Sequence, residues 1–174
     1  AGEMMLKDWY GAHGIRSVSF RFFNVAGAHS RHDLGELHGS SHLFARIMEA
    51  AVHDTAFTVW GKDWETPDQT AIRDYTHVMD VCDAIMRAIT WLPANPGAHI
   101  MNIGGGQGNS VQQVIDTTEM LLSKELPYRY GARRDGDSAM RFSNNDLAHK
   151  LLEWKPTRTL QDMILDSYKW YNSA

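Results

Sequence analysis

Apolar residues recur along this chain at two alternating spacings, dense or every second position over short stretches and every third or fourth over longer ones. Residues 17–23 (SVSFRFF) have the β-branched and aromatic content of a strand, and their near-continuous apolar character predicts a sheet covered on both faces. Residues 56–61 (AFTVWG), 99–103 and 127–131 (PYRYG) predict three further strands. Between them the spacing is helical. Leu43, Ile47, Met48 and Ala51 share one stripe, with Ser41 placed to cap it. Val81, Ala84, Ile85, Ala88, Ile89 and Leu92 follow, with Asp80 as the expected cap and Pro93 as the stop. Val111, Val114, Ile115, Thr118 and Leu122 form a third stripe behind Ser110. Two more helices close the chain, the second opened by Thr159 with Asp162 three residues on, close to a capping box. At the front, AGEMMLKDWYGAHG predicts a helix with Met5 and Trp9 one turn apart and Gly14 as its stop. Nothing precedes it that could cap its first amides, so it is expected to begin inside a longer element. Strands alternating with helices predict an α/β architecture, without internal repeats or a linker-like break in composition.

One predicted strand is unusual. In TAIRDYTHVMDV (residues 70–81) alternation puts Arg73, Tyr75 and His77 on one face and Asp74, Thr76 and Val78 on the other. Two readings stand, a solvated strand face and a ligand-facing one. ARRDGD (132–137) also has two readings. It is a solvated charge run, or an arginine fork for phosphate beside a carboxylate that accepts sugar hydroxyls. Arg73 with either Arg133 or Arg134 would make a two-armed diphosphate clamp. Asn24 directly follows the first strand, at the carboxyl end where ligands of open α/β sheets collect. GGGQGN (104–109) lies between a strand and a helix, yet Asn109 stands where a dinucleotide fingerprint needs its third glycine. No strand ending in a ribose-binding acid follows, so the stretch reads as a tight turn.

Composition narrows the function classes. The 174 residues are 43% apolar and 22% charged, with no apolar run approaching a membrane span. A net charge of −4 argues against bulk nucleic-acid binding and requires any bound anion to be held by a few placed arginines. Cys82 is the single cysteine, expected as a packed thiol on an apolar helix face. The nine histidines are scattered and show no His-Glu-x-x-His motif, so no metal site is expected. No signal peptide or lipidation motif is present, which makes the cytoplasm the expected compartment.

The order RFFN…GAH, VWGKDWETPDQTAIRDYTHVMDV, NIGGGQGNSV, RRDGD and LEWKPTRTLQDM resembles the C-terminal half of the UDP-glucose 4-epimerases. These are extended short-chain dehydrogenase/reductases of the NAD-dependent epimerase/dehydratase family. The resemblance covers nearly the whole chain, and the string from Thr66 to Asp80 is its most specific part. It implies an α/β fold that is the C-terminal part of an extended Rossmann-type enzyme. The last Rossmann elements would be interleaved over residues 1–174 with the nucleotide-sugar-binding subdomain, and the NAD-binding N-terminal half would be absent. In the family NAD takes a hydride from carbon 4 of the hexose, and the hydride returns to the opposite face after the sugar swings over. UDP-glucose and UDP-galactose are thereby interconverted. The family's Tyr-x-x-x-Lys acid/base pair does not occur in this chain. The resemblance places it upstream of Ala1, so no catalytic residue is expected here and the chain alone is expected to be inactive.

The resemblance also implies substrate contacts. Asn24 corresponds to an asparagine at the diphosphate region, Leu43 to a backbone contact near it, and His42 to a position often held by asparagine. Thr58 and Trp60 correspond to the strand flanking the uracil. Arg73 corresponds to a phosphate-binding arginine with Tyr75 beside it, both facing the nucleotide while His77 supports that face. Arg134 corresponds to a second phosphate arginine, Asp137 to a carboxylate for the uridine ribose, and Phe22 to a residue near the nicotinamide. The implied partners are a UDP-sugar, NAD and a second copy of the full-length protein. The homodimer would form through the first helix, which bears Met4, Met5, Leu6 and Trp9. Two departures are visible: Gln69 replaces a usual glycine, and Arg141 occupies the position that gates sugar size, leaving N-acetylated sugars open. Another nucleotide-sugar epimerase or dehydratase, or a non-catalytic nucleotide-sugar-binding module, are the alternatives.

Overall fold

The computed structural model describes residues 1–36, 39 and 41–173. The elements run α1 (Gly2–His13), β1 (Ser17–Phe22), β2 (Asn24–Ala26), α2 (Leu43–His53), β3 (Phe57–Trp60), β4 (Ile72–His77) and α3 (Val78–Trp91). After a short 3₁₀ turn (Leu92–Ala94) come β5 (Ala98–Ile103), β6 (Gly108–Ser110), α4 (Val111–Leu122), β7 (Tyr128–Gly131), β8 (Met140–Arg141), α5 (Asp146–Leu152) and α6 (Leu160–Ser173). Every element expected from periodicity is present. The three short strands β2, β6 and β8 are not expected from the sequence, because stretches of two or three residues are too short to show a period. Each exists as a partner of β4: β2 and β8 pair with it parallel, and β6 antiparallel. Thus β2 occupies the start of what sequence alone presents as a 24–40 loop, of which residues 37, 38 and 40 lie outside the described residues.

Two other parallel pairs complete the sheets, β1 with β5 (Ser17↔Ala98 to Phe22↔Ile103) and β3 with β7 (Phe57↔Tyr128 to Trp60↔Gly131). The expectation that β1 is covered on both faces does not hold in this chain. Its first four residues are half-buried, and Arg21 and Phe22 are exposed.

The apolar stripes bury into two clusters. Phe44, Ile47 and Met48 of α2 meet Val114 and Ile115 of α4 and Met163, Ile164 and Tyr171 of α6, over Phe57, Val59 and Tyr75. Val81, Ala84 and Ala88 of α3 meet Met101 and Ile103 of β5, Ala148 and Leu152 of α5, and Trp154. On α3 the buried stripe is narrower than the sequence suggests. Ile85 and Ile89 are 39% and 59% exposed, and Cys82 is exposed rather than packed, because only the 81/84/88 line faces β5 and Trp154. The first helix buries no residue, and Met4, Met5 and Trp9 stand exposed.

Caps explain where the helices begin. The Ser110 hydroxyl accepts the Gln113 N–H at 3.0 Å while the Gln113 amide oxygen accepts the Ser110 N–H at 2.8 Å, a full capping box. Thr159 and Asp162 make the same reciprocal pair at 3.2 and 2.8 Å. Two expected caps are corrected. His42, not Ser41, is the N-cap residue of α2, and its side chain turns to Glu36 (2.7 Å) instead of capping. His77, not Asp80, caps α3, through Nδ1 accepting the Met79 N–H at 3.1 Å.

Gln69, where the resemblance has glycine, keeps the left-handed backbone, with φ 64°. A non-glycine residue is strained there by roughly 1–2 kcal/mol, partly offset in glycine by its greater unfolded-state entropy. Gln69→Gly is therefore expected to raise stability by about 0.5–1 kcal/mol, read as a higher urea midpoint. An unchanged or lower midpoint would show that the Gln69 side chain compensates the strain.

Candidate functional site

The arginine-containing end of β4 is where the predicted binding residues gather. In ARRDGD the Asp137 N–H donates to the Arg134 carbonyl at 3.2 Å, closing a turn whose third residue, Gly136, has φ 83°. Glycine suits that position because a Cβ would be strained there. The turn brings its two end side chains together: Arg134 Nε lies 3.2 Å from Asp137 Oδ2, and Arg73 Nη2 lies 3.8 Å from Asp137 Oδ1. Arg73 is fixed by donating from Nη1 to the Ile72 and Ser138 carbonyls at 2.9 and 2.8 Å. The two loop arginines take different partners. Arg133 turns away to Asp63 (Nε to Oδ1 2.7 Å) and stacks on Trp64, whereas Arg134 and Arg73 both lie beside Asp137.

Strand β3 supplies the wall beside them. Alternation buries Phe57 and Val59 and points Thr58 and Trp60 the other way. The Trp60 indole is 44% exposed, packs over Gly131, where a Cβ would come within 3.1 Å, and has the Arg134 guanidinium 5.7 Å from its ring centre. Two cations, a carboxylate and a flat apolar ring thus share one surface.

A second group lies further along β4. Asn24 and Tyr75 are register partners, and the Asn24 side chain lies near the Tyr75 hydroxyl. Tyr75 itself departs from expectation. It is 3% exposed, with its ring 5.2 Å from that of Phe44, and burial pushes its hydroxyl pKa far up. It is a core side chain, since β4 is covered on both faces. Leu43 opens α2 and is half-buried. His42 is exposed and held by Glu36. Phe22 stands apart, at the carboxyl end of β1 with its ring 6.0 Å from Phe20. Arg141 is exposed on β8, in register with Arg73.

Sequence reasoning missed the polar supports. The Asp68 carboxylate accepts the Thr70 N–H (2.9 Å) and hydroxyl (2.8 Å) and the Ser110 hydroxyl, pinning the loop before β4 to the start of α4. At the far end, His77 Nε2 faces Asp166 Oδ2 at 3.2 Å, with His32 on the other carboxylate oxygen at 3.2 Å. Because His77 Nδ1 accepts a backbone N–H, the neutral ring carries its proton on Nε2. Burial, aided by the Arg158 charge, holds this imidazole below its ordinary 6.5, with Asp166 pulling the other way. The unfolded chain therefore takes up a proton that the folded one refuses. The resulting stability is fully present above pH 6.5 and is lost as pH falls from there towards the folded value. Between pH 7.5 and 5.5 the urea midpoint is expected to fall, and His77→Asn is expected to flatten that slope. Equal slopes in both proteins would exonerate His77.

Among the described residues, no cluster of three or more metal-ligating side chains occurs and no helix is long and apolar enough to cross a membrane.

Comparison with known proteins gives a consistent picture. The pattern of the NAD dependent epimerase/dehydratase family matches residues 1–104. The UDP-glucose 4-epimerase of Rhizobium meliloti (strain 1021) is 35% identical over 172 residues, which are 98% of this chain and 52% of that one. That of Bacillus subtilis (strain 168) is 34% identical over 98% of this chain and 52% of its own length. The chain thus spans about half the length of the curated relatives it matches. The crystal structure of UDP-glucose-4-epimerase from Stenotrophomonas maltophila with bound NAD and formylated UDP-arabinopyranose superposes with a TM-score of 0.94. It is 36% identical and covers 99% of this chain with 52% of its own. The Bifidobacterium longum UDP-glucose 4-epimerase in complex with NAD+ and UDP gives 0.91 at 33% identity, over 98% of this chain and 52% of that one. Since the family pattern spans well over half of the sequence and the fold agrees throughout, the chain belongs to the NAD dependent epimerase/dehydratase family.

Proposed function

We propose that this chain is the UDP-hexose-binding half of a UDP-glucose/UDP-galactose 4-epimerase. The observation that carries the reading is the convergence of Arg73, Arg134 and Asp137 beside the exposed face of Trp60. Two guanidinium groups suit a diphosphate, a carboxylate suits vicinal ribose hydroxyls, and an indole with Thr58 beside it suits a pyrimidine ring. Asn24, beside Tyr75, and the first amides of α2 at Leu43 extend the polar surface towards the sugar, with His42 at its rim. Relatives whose structures contain NAD with UDP or a UDP-sugar support the same assignment.

NAD, when bound, supplies a reversible hydride acceptor for carbon 4. The residues of this chain do not fit the dinucleotide's pyrophosphate. The glycine-rich loop between β5 and β6, residues 104–107, has its Gly105 and Gly106 amides already committed to the Asp74 carboxylate. Phe22 offers only an apolar surface near the nicotinamide, so the cofactor is assigned chiefly to residues outside this chain. The acid/base pair is assigned there too, since no Tyr-x-x-x-Lys occurs in the 174 residues. A fully wrapped Tyr75 is no substitute for it. The proposal includes a homodimer of the full-length protein formed through the exposed apolar side of α1.

The test is a calorimetric titration of this chain with UDP and with ADP. UDP is expected to bind and ADP to bind much more weakly, whereas equal affinity or no UDP binding would overturn the reading. Asp137→Asn should then shrink the preference for UDP over 2′-deoxy-UDP, because it weakens the hydroxyl acceptor and leaves both arginines in place. An unchanged preference would make Asp137 a partner of the arginines alone.

A further inference from the structure

Asp74 stands next to Arg73 on β4, yet the nucleotide reading leaves it unused. It is 1% exposed, and its carboxylate accepts four hydrogen bonds. One comes from the Gly105 N–H, one from the Gly106 N–H at 3.1 Å, and two from Ser143, whose N–H and hydroxyl both lie at 2.7 Å. A carboxylate withdrawn from water needs such a set of donors. The glycines permit the approach: a Cβ on Gly105 would strike the Tyr75 carbonyl oxygen, and one on Gly104 the Ser143 hydroxyl. The glycine-rich stretch is therefore a nest of amides around the chain's own anion.

Neighbouring residues on a strand point in opposite directions, but Arg73 and Asp74 hold the same segment. Arg73 bonds the Ser138 carbonyl at 2.8 Å, Asp74 bonds Ser143, and between these points β8 pairs with Ile72 and Arg73. Residues 138–143 are thus fastened to β4 at both ends. The turn that presents Arg134 and Asp137 immediately precedes them.

We propose that Asp74 is a positioning residue. By clamping Ser143 and the glycine loop to β4, it sets the spacing between Arg73 and the Arg134–Asp137 turn, and so the geometry in which a nucleoside diphosphate is gripped. The assignment rests on the nucleotide reading above.

Ser143→Ala removes one of the four bonds and keeps the others, and Asp74→Asn disturbs all of them. Thr157→Ala is the control, because it removes a comparable hydroxyl bond (2.9 Å) from Asp80, in the other cluster. Affinity for UDP is measured by calorimetry at a temperature where circular dichroism shows every variant folded. Ser143→Ala is expected to weaken UDP binding by about three- to tenfold, Asp74→Asn to weaken it further, and Thr157→Ala to leave it unchanged. Combined with Arg73→Met, Ser143→Ala should add no further loss. Wild-type affinity in Ser143→Ala, or an equal loss in Thr157→Ala, overturns the positioning role while the nucleotide site stands. Failure of the unaltered chain to bind UDP overturns the nucleotide reading itself, and this assignment with it. If Asp74→Asn does not fold, Ser143→Ala decides the matter alone.

Discussion

Arg73→Met is expected to weaken UDP binding by at least about tenfold while leaving the chain folded. Hydrogen bonds to charged groups contribute roughly 1.5–3 kcal/mol, and each 1.4 kcal/mol is a factor of ten in affinity. Methionine keeps most of the side-chain length and its apolar stem, so packing along β4 is largely retained while the guanidinium is lost. The Ser138 carbonyl loses its donor, a modest structural cost because that segment remains paired through β8 and held at Ser143. Arg134→Met should act in the same direction with a smaller structural component, since Arg134 is exposed and its ion pair with Asp137 lies within its own turn. Calorimetry with UDP and uridine separates the effects. Loss confined to UDP supports the clamp, and unchanged UDP affinity in both single variants would remove it.

The sequence disclosed the elements that have a period and concealed those that do not. Strands β1, β3, β5 and β7 and all six helices follow from apolar spacing and from local capping chemistry such as Ser110 with Gln113. The strands β2, β6 and β8 are recruited by β4 from distant parts of the chain, and no local pattern encodes a partner. The same limit applies to the site. The loop's two arginines and its carboxylate are visible in ARRDGD, but which arginine lies beside Asp137 follows only from the turn that the fold closes, and Trp60 is marked only by the family resemblance. What the sequence could not show is that β4 is wrapped on both sides. That wrapping turns Tyr75 into a core residue and makes Asp74 the centre of a nest instead of a solvent-facing charge. The triple glycine was the available signal. Three consecutive residues without Cβ imply a close approach, but the approaching group lies about 30 residues earlier in the chain and could not be named. Asp80 departs from the expected cap for a related reason. An acid near a helix start looks like a cap, and only the tertiary fold reveals that its acceptors face residues 157 and 158.

Asp80→Ala is expected to be among the most destabilising single changes in this chain. Asp80 is 2% exposed, and Oδ1 accepts the Arg158 guanidinium at 2.6 Å and the Thr157 hydroxyl at 2.9 Å, while Oδ2 accepts the Thr157 and Arg158 N–H groups, each at 3.1 Å. Its own carbonyl receives the indole N–H of fully buried Trp154 at 2.9 Å. The residue therefore joins the start of α3 to the connection between α5 and α6, and it seats the largest side chain of the second core cluster. Alanine would leave two backbone donors, a hydroxyl and a guanidinium without their acceptor. Removing one partner from such a buried charged network costs about 3–5 kcal/mol, a large share of the total stability of an ordinary domain. Asp80→Asn should cost less, because it keeps one oxygen to accept while losing the charge opposite Arg158. Urea denaturation followed by tryptophan fluorescence gives both values. If Asp80→Ala unfolds within 1 kcal/mol or so of the unaltered chain, water must replace the carboxylate without loss, and Asp80 is not the tie described here.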